Sequence, residues 1–411
     1  MCIRDSSYFE DIEYFNEIIL STLMNFDLNK IQLKDLLSEL IQTPSVNPDG
    51  DPGTCSENTG EKKMAMKVGG IFENIGAEVY YDEVEPDRPN VIAKFPGSDN
   101  KPQILLAPHL DTVGVGGMTI EPFGGIQKDG KIYGRGASDT KGTMAAMIWA
   151  LNRIGKEKIN DLGIGVTFGG FMGEETGQPG SNHFAKKYHR EYDFAVVGEP
   201  TNNNIVSRHK GTLWITLECI GKPAHGSTPE RGENAISKMA TLVNWLDKDF
   251  RTLLKSKEYQ NELLGFPTLN IGRISGGTRT NIVADQCAIE IDFRLTPELS
   301  TTQAYKKLEG LLDKNGFTDV VMITKLTCEP LHTPDSNEYI QKLINLDSRP
   351  EIVGAPWFCD AAVLSSMGGI PSVAAGPGSI DQAHTHDEWI SEKDLESGAD
   401  FYEDFLLSAS S

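Results

Sequence analysis

Four times along this chain of 411 residues, a short apolar run gives way to polar, ionisable side chains. Ile104–Ala107 is followed by His109 and Asp111, Gly163–Phe168 by Glu174 and Glu175, Phe194–Val197 by Glu199, and Ile370–Ala375 by Gly376 and then His384. Short apolar runs bounded by glycine read as strands buried on both faces. Helical segments lie among them. Residues 28–42 put Leu33, Leu36, Leu37, Leu40 and Ile41 at helical spacing, 62–76 and 141–155 also read as helices, and 78–84 and 90–95 read as extended. Strands alternating with helices predict an α/β fold built on a mixed, mostly parallel sheet flanked by helices. Such sheets bind ligands beyond the carboxyl ends of their strands, which is where these ionisable residues fall.

The middle of the chain is different. Residues 213–221, 268–274 and 287–295 alternate in character, with Ile289, Ile291, Phe293 and Leu295 on one face and Glu290, Asp292 and Arg294 on the other. Alternation of this kind marks antiparallel strands with one solvated face. Amphipathic helices at 234–250 and 302–315 punctuate them. Residues 210–327 are therefore expected to form an inserted α+β domain, and 1–209 with 328–411 the domain it interrupts.

Composition narrows the function classes. Hydrophobic residues at 39% and charged residues at 24% suit a folded chain with a large core. A formal charge of −21 argues against nucleic acid or an anionic membrane as partner, and no apolar run approaches the roughly 18 residues of a membrane span. Six cysteines, at 2, 55, 219, 287, 328 and 359, include no CxxC spacing, which argues against a zinc ribbon, a CxxC redox pair or a disulfide scaffold. Asp5, Glu10, Asp11, Glu13 and Glu17 precede the apolar stretch Ile18–Met24, where a secretory signal would carry basic residues and a cleavage site. The expectation is a cytoplasmic protein. The first seven residues, MCIRDSS, resemble a translated sequencing adapter.

Each motif carries a functional reading beside a plainer one. His109 and Asp111, two apart on an extended chain, point the same way. The imidazole is either a hydrogen-bonded loop residue or a metal ligand oriented by the carboxylate. Asp139, among the glycines of GRGASDTKG (134–142), is either the N-cap of the next helix or a carboxylate bridging two metals. Glu174 and Glu175 in GEETG are either solvated loop acids or a ligand beside a general base. Glu199 in GEPT and His384 in GPGSIDQAHTHDE complete the series. Nitrogen and oxygen donors without cysteine suit zinc, cobalt or manganese in a hydrolytic site, and the HExxH helix of many zinc proteases is absent.

HLD (109–111), GRGASDTKG (134–142), MGEETG (172–177), VGEPT (197–201), GKPAHGS (221–227) and AHTHDE (383–388) occur in one order and at one spacing. On these motifs the chain, from about residue 30 to its C-terminus, resembles the aminoacylase/acetylornithine deacetylase/succinyl-diaminopimelate desuccinylase family of dinuclear zinc amidohydrolases. The resemblance implies a zinc-peptidase-like catalytic domain with an inserted lid or dimerisation domain, and two Zn2+ for which Co2+ can substitute. His109 and Glu199 would bind one metal, Glu175 and His384 the other, and Asp139 would bridge them across a cis peptide that follows it. Glu174 would be the general base, Asp111 the orienter of His109, and His386 a neighbour of the ligands. His225 would reach the active site of a second protomer, implying a homodimer. Asn281 and Arg294 would hold the substrate, with Gly376 and Gly378 offering backbone N–H groups.

Within the family, RHKG (208–211), PERGENAI (229–236), PTLNIGRISGG (267–277) and GPGSIDQAHTHDE (376–388) favour N-acetylornithine as substrate, giving ornithine and acetate in arginine biosynthesis. Pro108 before the first histidine and Thr140 after Asp139 depart from the common pattern. The rival substrates are those of succinyl-diaminopimelate desuccinylase, N-acetylcitrulline deacetylase, a general aminoacylase and a carboxypeptidase. A non-catalytic metal-binding relative is the rival from another class.

Overall fold

A computed structural model describes residues 28–49, 54–97 and 100–411. The readings made on the acidic N-terminus, on Ile18–Met24 and on MCIRDSS lie outside the described residues. In chain order the main elements are α1 (Leu33–Ile41), α2 (Lys62–Asn74), β1 (Glu78–Glu85), β2 (Arg88–Lys94), β3 (Gln103–Ala107), α3 (Lys141–Ile154), β4 (Gly165–Gly170), α4 (Pro179–Lys187) and β5 (Phe194–Val197). They continue with β6 (Gly211–Ile220), α5 (Ala235–Trp245), β7 (Thr268–Gly276), β8 (Gln286–Leu295), α6 (Thr301–Lys314), β9 (Val320–Cys328), β10 (Ser372–Ala374) and α7 (Glu392–Ala409).

The chain divides into two compact units. The first comprises the chain up to Ile205, Asp335–Ile352 and Met367–Ser411; the second comprises Val206–Pro334 and Val353–Ser366. In the first unit the strands lie in the order β1-β2-β4-β3-β5-β10. β3 pairs in parallel with β4 and β5, and β10 in parallel with β5, while β1, β2 and β4 are joined by antiparallel ladders. β4 and β5 are buried along their whole length, as doubly covered strands must be. α1, α2, α3 and α7 pack their apolar faces into the same core, with Leu36, Phe72, Met147, Phe168 and Phe405 fully buried. This parallel arrangement brings the ends of β3, β4, β5 and β10 to one edge of the sheet, so the loops that follow them meet.

The second unit is a sheet in the order β7-β8-β6-β9, antiparallel throughout. One face carries Leu213, Ile215, Leu217, Ile289, Ile291 and Phe293 into a core with α5 and α6. The other is solvated and exposes Trp214, Val321 and Ile323. The helix expected at 234–250 is α-helical to Trp245 and then widens into a π-helical turn over Leu246–Phe250. Among the described residues no helix is long and apolar enough to cross a membrane.

Candidate metal centre

The loop after β3 carries His109 and Asp111, both almost wholly buried. His109 Nδ1–H donates to the Asp111 carbonyl oxygen at 3.0 Å, leaving Nε2 facing Asp139 Oδ1 at 3.1 Å. Fixing one ring nitrogen in this way selects the other as the metal-binding one. The Asp111 carboxylate is mainly engaged elsewhere. It accepts N–H bonds from Glu174 (3.0 Å) and Glu175 (3.1 Å) and one from Asn47 Nδ2 (2.8 Å), with His109 Nδ1 at 3.4 Å. Asp111 thus orients His109 chiefly through its main chain and pins the GEETG loop with its side chain. Burial pushes the Asp111 carboxyl up, but the imidazole and these N–H donors hold it below its ordinary value.

Glycine at two positions lets GEETG turn sharply after β4. Gly173 (φ +73°) and Gly177 (φ +85°) lie in the left-handed region, and Gln178 N–H closes the turn on Gly173 O at 3.0 Å. Glu174 and Glu175 therefore point in different directions. Glu175 is buried and lies 3.2 Å from His384 Nε2; Glu174 is half-buried, with the Gln178 amide 3.4 Å from its Oε1. They are not two solvated acids.

Asp139 is not a helix cap. The N-cap of α3 is Thr140, the Asp139–Thr140 peptide is cis as the resemblance implied, and the Asp139 carboxylate meets His109 Nε2 and His384 Nε2 (3.4 Å). His384 itself adopts a left-handed backbone (φ +61°). His109, Asp139 and Glu175 each offer a ligand atom within 4.8 Å of the others, and His384 joins them through its two carboxylate contacts.

The electrostatics fit a cation. Hydrogen bonds donated to the Asp139 and Glu175 carboxylates push the His384 imidazolium up to about 10. Burial opposes a charge on His109, but Asp111 and Asp139 outweigh it and leave its pKa well above the ordinary value. Burial and the neighbouring Asp139 charge raise Glu175, and its Oε1 is buried with no hydrogen-bond partner. Two imidazole nitrogens face the Asp139 carboxylate, one of them also facing Glu175, and the acids draw positive charge to the site, from protons or from a divalent metal. These donors fit a zinc-class ion.

The other expected residues are placed as follows. Glu199 is buried just beyond β5, where its charge adds to the burial that raises the pKa of Tyr402. His386 takes Thr119 N–H on its carbonyl at 2.8 Å. Gly376 departs from the expectation: its N–H donates to Thr201 Oγ1 (3.1 Å), and a Cβ there would lie 2.5 Å from Tyr402 Oη. It is a glycine for packing, with its donor already used. Gly378 is buried with φ +84°. His225, Asn281 and Arg294 belong to the second unit. There His225 bridges Ile282, Gly226 N–H donates to Asn281 O, and Arg294 is held by Asp292 (3.0 Å) over the Phe358 ring.

Two features were not singled out from sequence. Glu388, with no solvent exposure, accepts N–H bonds from Gly136 (2.9 Å), Ser138 (2.8 Å) and Asp139 (3.0 Å) and a bond from Arg135 Nη1 (2.8 Å). It clamps the Asp139 loop to the segment carrying His384. Glu61 and Arg88 form a buried bidentate pair at 2.8 and 2.7 Å, whose charges are felt at Asp111.

Known proteins place the chain. Residues 105–408 match the model of peptidase family M20/M25/M40. The chain is 30% identical over 366 residues to the acetylornithine deacetylase of Vibrio campbellii, covering 86% of this chain and 92% of that one. It is 31% identical over 389 residues to the acetylornithine deacetylase of Photorhabdus laumondii, covering 87% and 91%. Its fold is similar to that of an M20 metallo-carboxypeptidase from Sulfolobus solfataricus, with a TM-score of 0.74 at 20% identity over 92% of this chain and 99% of that one. It is also similar to a dinuclear metal-binding M20 peptidase from Bacillus subtilis, with a TM-score of 0.65 at 14% identity over 96% and 99%. With the family match spanning most of the chain and buried histidine and carboxylate donors gathered at its sheet edge, the chain belongs to peptidase family M20/M25/M40 and is an amide hydrolase.

Proposed function

We propose that this hydrolase cleaves the amide bond of an N-acyl amino acid, N-acetylornithine above all, releasing ornithine and acetate in arginine biosynthesis. The observation that carries the reading is the pairing of a His109–Asp139–Glu175 cluster, its first two members buried, with an adjacent Glu174 on the same pinned turn. The similarity to acetylornithine deacetylases over most of the chain supports the substrate. Two zinc ions, or cobalt in their place, would be held by His109, Glu199, Glu175 and His384 with Asp139 between them. They would supply Lewis acidity that makes water acidic and a carbonyl electrophilic.

The chain's own residues do the rest. Glu174 accepts a proton from the attacking water and later gives it to the departing amine. Asp111 fixes the turn on which Glu174 sits. Arg294 grips the substrate carboxylate with its fork, beside Asn281. His225, acting from a second protomer of a cytoplasmic homodimer, donates to the oxyanion.

The test is hydrolysis of N-acetylornithine, N-acetylcitrulline, N-acetylmethionine, N-succinyl-diaminopimelate and a dipeptide by metal-loaded protein. Preference for N-acetylornithine, abolished by chelation and reduced at least ~100-fold in kcat by Glu174→Gln with metal content unchanged, is the expected result. Another preferred substrate would overturn the substrate while keeping the site. No turnover with metal bound would favour a non-catalytic relative. Mixing Glu174→Gln with His225→Ala protomers should restore activity in hetero-dimers; no recovery after confirmed subunit exchange would remove the shared site.

A further inference from the structure

Five cysteines are described, all as free thiols, and two of them face each other. Cys219 on β6 and Cys287 on β8 are direct register partners in the two central strands of the second unit's sheet. Both side chains are buried in the core beneath α5. Two positions along the same ladder, Gly221 N–H donates to Asp285 O at 2.8 Å. By the alternation of antiparallel pairing, Cys219 and Cys287 are then a hydrogen-bonded pair, with Cα atoms about 5.5 Å apart. That separation lies inside the range disulfides span. The Cβ atoms of such pairs sit about 1 Å too far apart for a relaxed S–S bond, so the closed form is strained and easily reduced. Gly276, opposite Cys287 on β7, leaves the sulfur room to turn, since a Cβ there would lie 2.7 Å from Cys287 Sγ.

A cavity of about 240 Å³ adjoins one member of the pair and is lined by Cys219, Lys238, Thr241, Phe317 and Asp319. Burial, then the second thiol, raise the Cys219 thiol above its ordinary value, with Lys238 pulling the other way, and burial raises Cys287 too; the pair therefore needs an oxidant in excess rather than a trace of it. The ladder then runs on as an arm. Val283 N–H donates to Ala224 O, His225 bridges Ile282, and Gly226 N–H donates to Asn281 O. His225 and Asn281 are each six positions from a cysteine of the pair.

We propose that Cys219 and Cys287 are a peroxide-sensitive dithiol that closes into a reversible cross-strand disulfide at the root of the arm carrying His225 and Asn281. The Cys219 thiolate attacks one oxygen of hydrogen peroxide, breaking the O–O bond to give a sulfenic acid and hydroxide, which takes up the proton the thiol released. The Cys287 thiolate then attacks the Cys219 sulfur and expels the sulfenic oxygen as hydroxide, which its own released proton converts to water. Two thiols and one peroxide give one disulfide and two waters. Sulfur is oxidised by two electrons and the peroxide is reduced by two. An external thiol reverses the bond.

The experiment is intact mass and peptide mapping of the full chain after graded hydrogen peroxide, with thiols blocked under denaturing conditions. The expected result is loss of two hydrogen masses, a Cys219–Cys287 linked peptide, and full return with dithiothreitol. Cys219→Ala and Cys287→Ala each abolish the linked peptide. In the oxidised protein, amide exchange slows in 222–228 and 278–285. Added oxygen on these sulfurs without a linked peptide, a link to another cysteine, or Cys219 and Cys287 both still alkylatable after oxidant would overturn the proposal. The wild-type mass result stands even where an alanine variant misfolds, and it is independent of the hydrolase substrate.

Discussion

Glu388 draws three main-chain N–H groups of the Asp139 loop and the Arg135 guanidinium onto one carboxylate that no water reaches. Removing it leaves those donors buried and unmatched, which in comparable sites costs about 3–5 kcal/mol. The loss falls on the loop that aims Asp139 at His109 and His384. Glu388→Ala should therefore lower metal affinity by ~10–100-fold, the range seen when partners behind metal ligands are removed, and Glu388→Gln should lose less because it still accepts. Metal titration well below the unfolding temperature checks this; unchanged affinity in a merely less stable Glu388→Ala would make the clamp a stability device only. The same residue shows what was legible at this scale. His109, Asp139, Glu174, Glu175 and His384 could be found because each stands in a short polar motif, most of them just past an apolar run and all but His109 among glycines. Glu388 closes the AHTHDE motif, yet its partners are backbone groups some 250 positions away, and backbone donors leave no mark in a sequence. Asn47, whose side-chain amide holds Asp111 from 64 positions away, is hidden because one long-range side-chain pair makes no local pattern.

Elements were legible wherever one periodicity held. α1, α3, β3 and β5 lie within a few residues of where apolar spacing puts them, because each buries a continuous stripe or both faces. α6 is also marked at its start. Ser300 Oγ accepts from Gln303 N–H, and Gln303 Oε1 accepts from Ser300 N–H at 3.0 Å, a reciprocal cap. Ser300→Ala takes the acceptor from Gln303 N–H, while the main-chain N–H of residue 300 keeps Gln303 Oε1, and should destabilise the protein by about 1 kcal/mol, read as a lower denaturation midpoint with unchanged slope. An unchanged midpoint would mean that Glu329, which also accepts Thr301 N–H (3.1 Å), caps the helix alone. Periodicity fails where packing decides. The π-helical turn at Leu246–Phe250 keeps Leu246 and Phe250 in the core, which a 3.6-residue count cannot foresee. The segment Val353–Ser366 joins the second unit although it lies well beyond the inserted stretch in sequence. It is held there by tertiary contacts such as Lys210 N–H to Ala355 O at 3.0 Å.

Across the whole molecule, a charge of −21 makes acidification a mixed perturbation. Protonating surface carboxylates relieves self-repulsion and so favours the compact state, an effect that salt screens. Buried His209 acts the other way. Its Nδ1–H donates to Lys210 O at 3.0 Å and its Nε2 accepts Cys359 N–H at 3.4 Å. A proton added at Nε2 would face that N–H, and burial holds the pKa down to about 4, against 6.5 when unfolded. The unfolded chain therefore takes up this proton below about pH 6.5, and the folded chain does so only near pH 4. Stability is lost through that window as pH falls, by about 2 kcal/mol between pH 7 and pH 5. His209→Gln keeps a donor and an acceptor but cannot titrate. Denaturation of metal-loaded wild type and His209→Gln at both pH values, each at low and high salt, separates the two effects. The wild-type excess loss should persist in salt, because a buried group is poorly screened, while the self-repulsion shared by both proteins should shrink. If the two proteins lose the same stability on going to pH 5, His209 is already protonated in the fold or hydrated in a way its two hydrogen bonds do not allow, and the acid sensitivity of the chain must then come from its carboxylates.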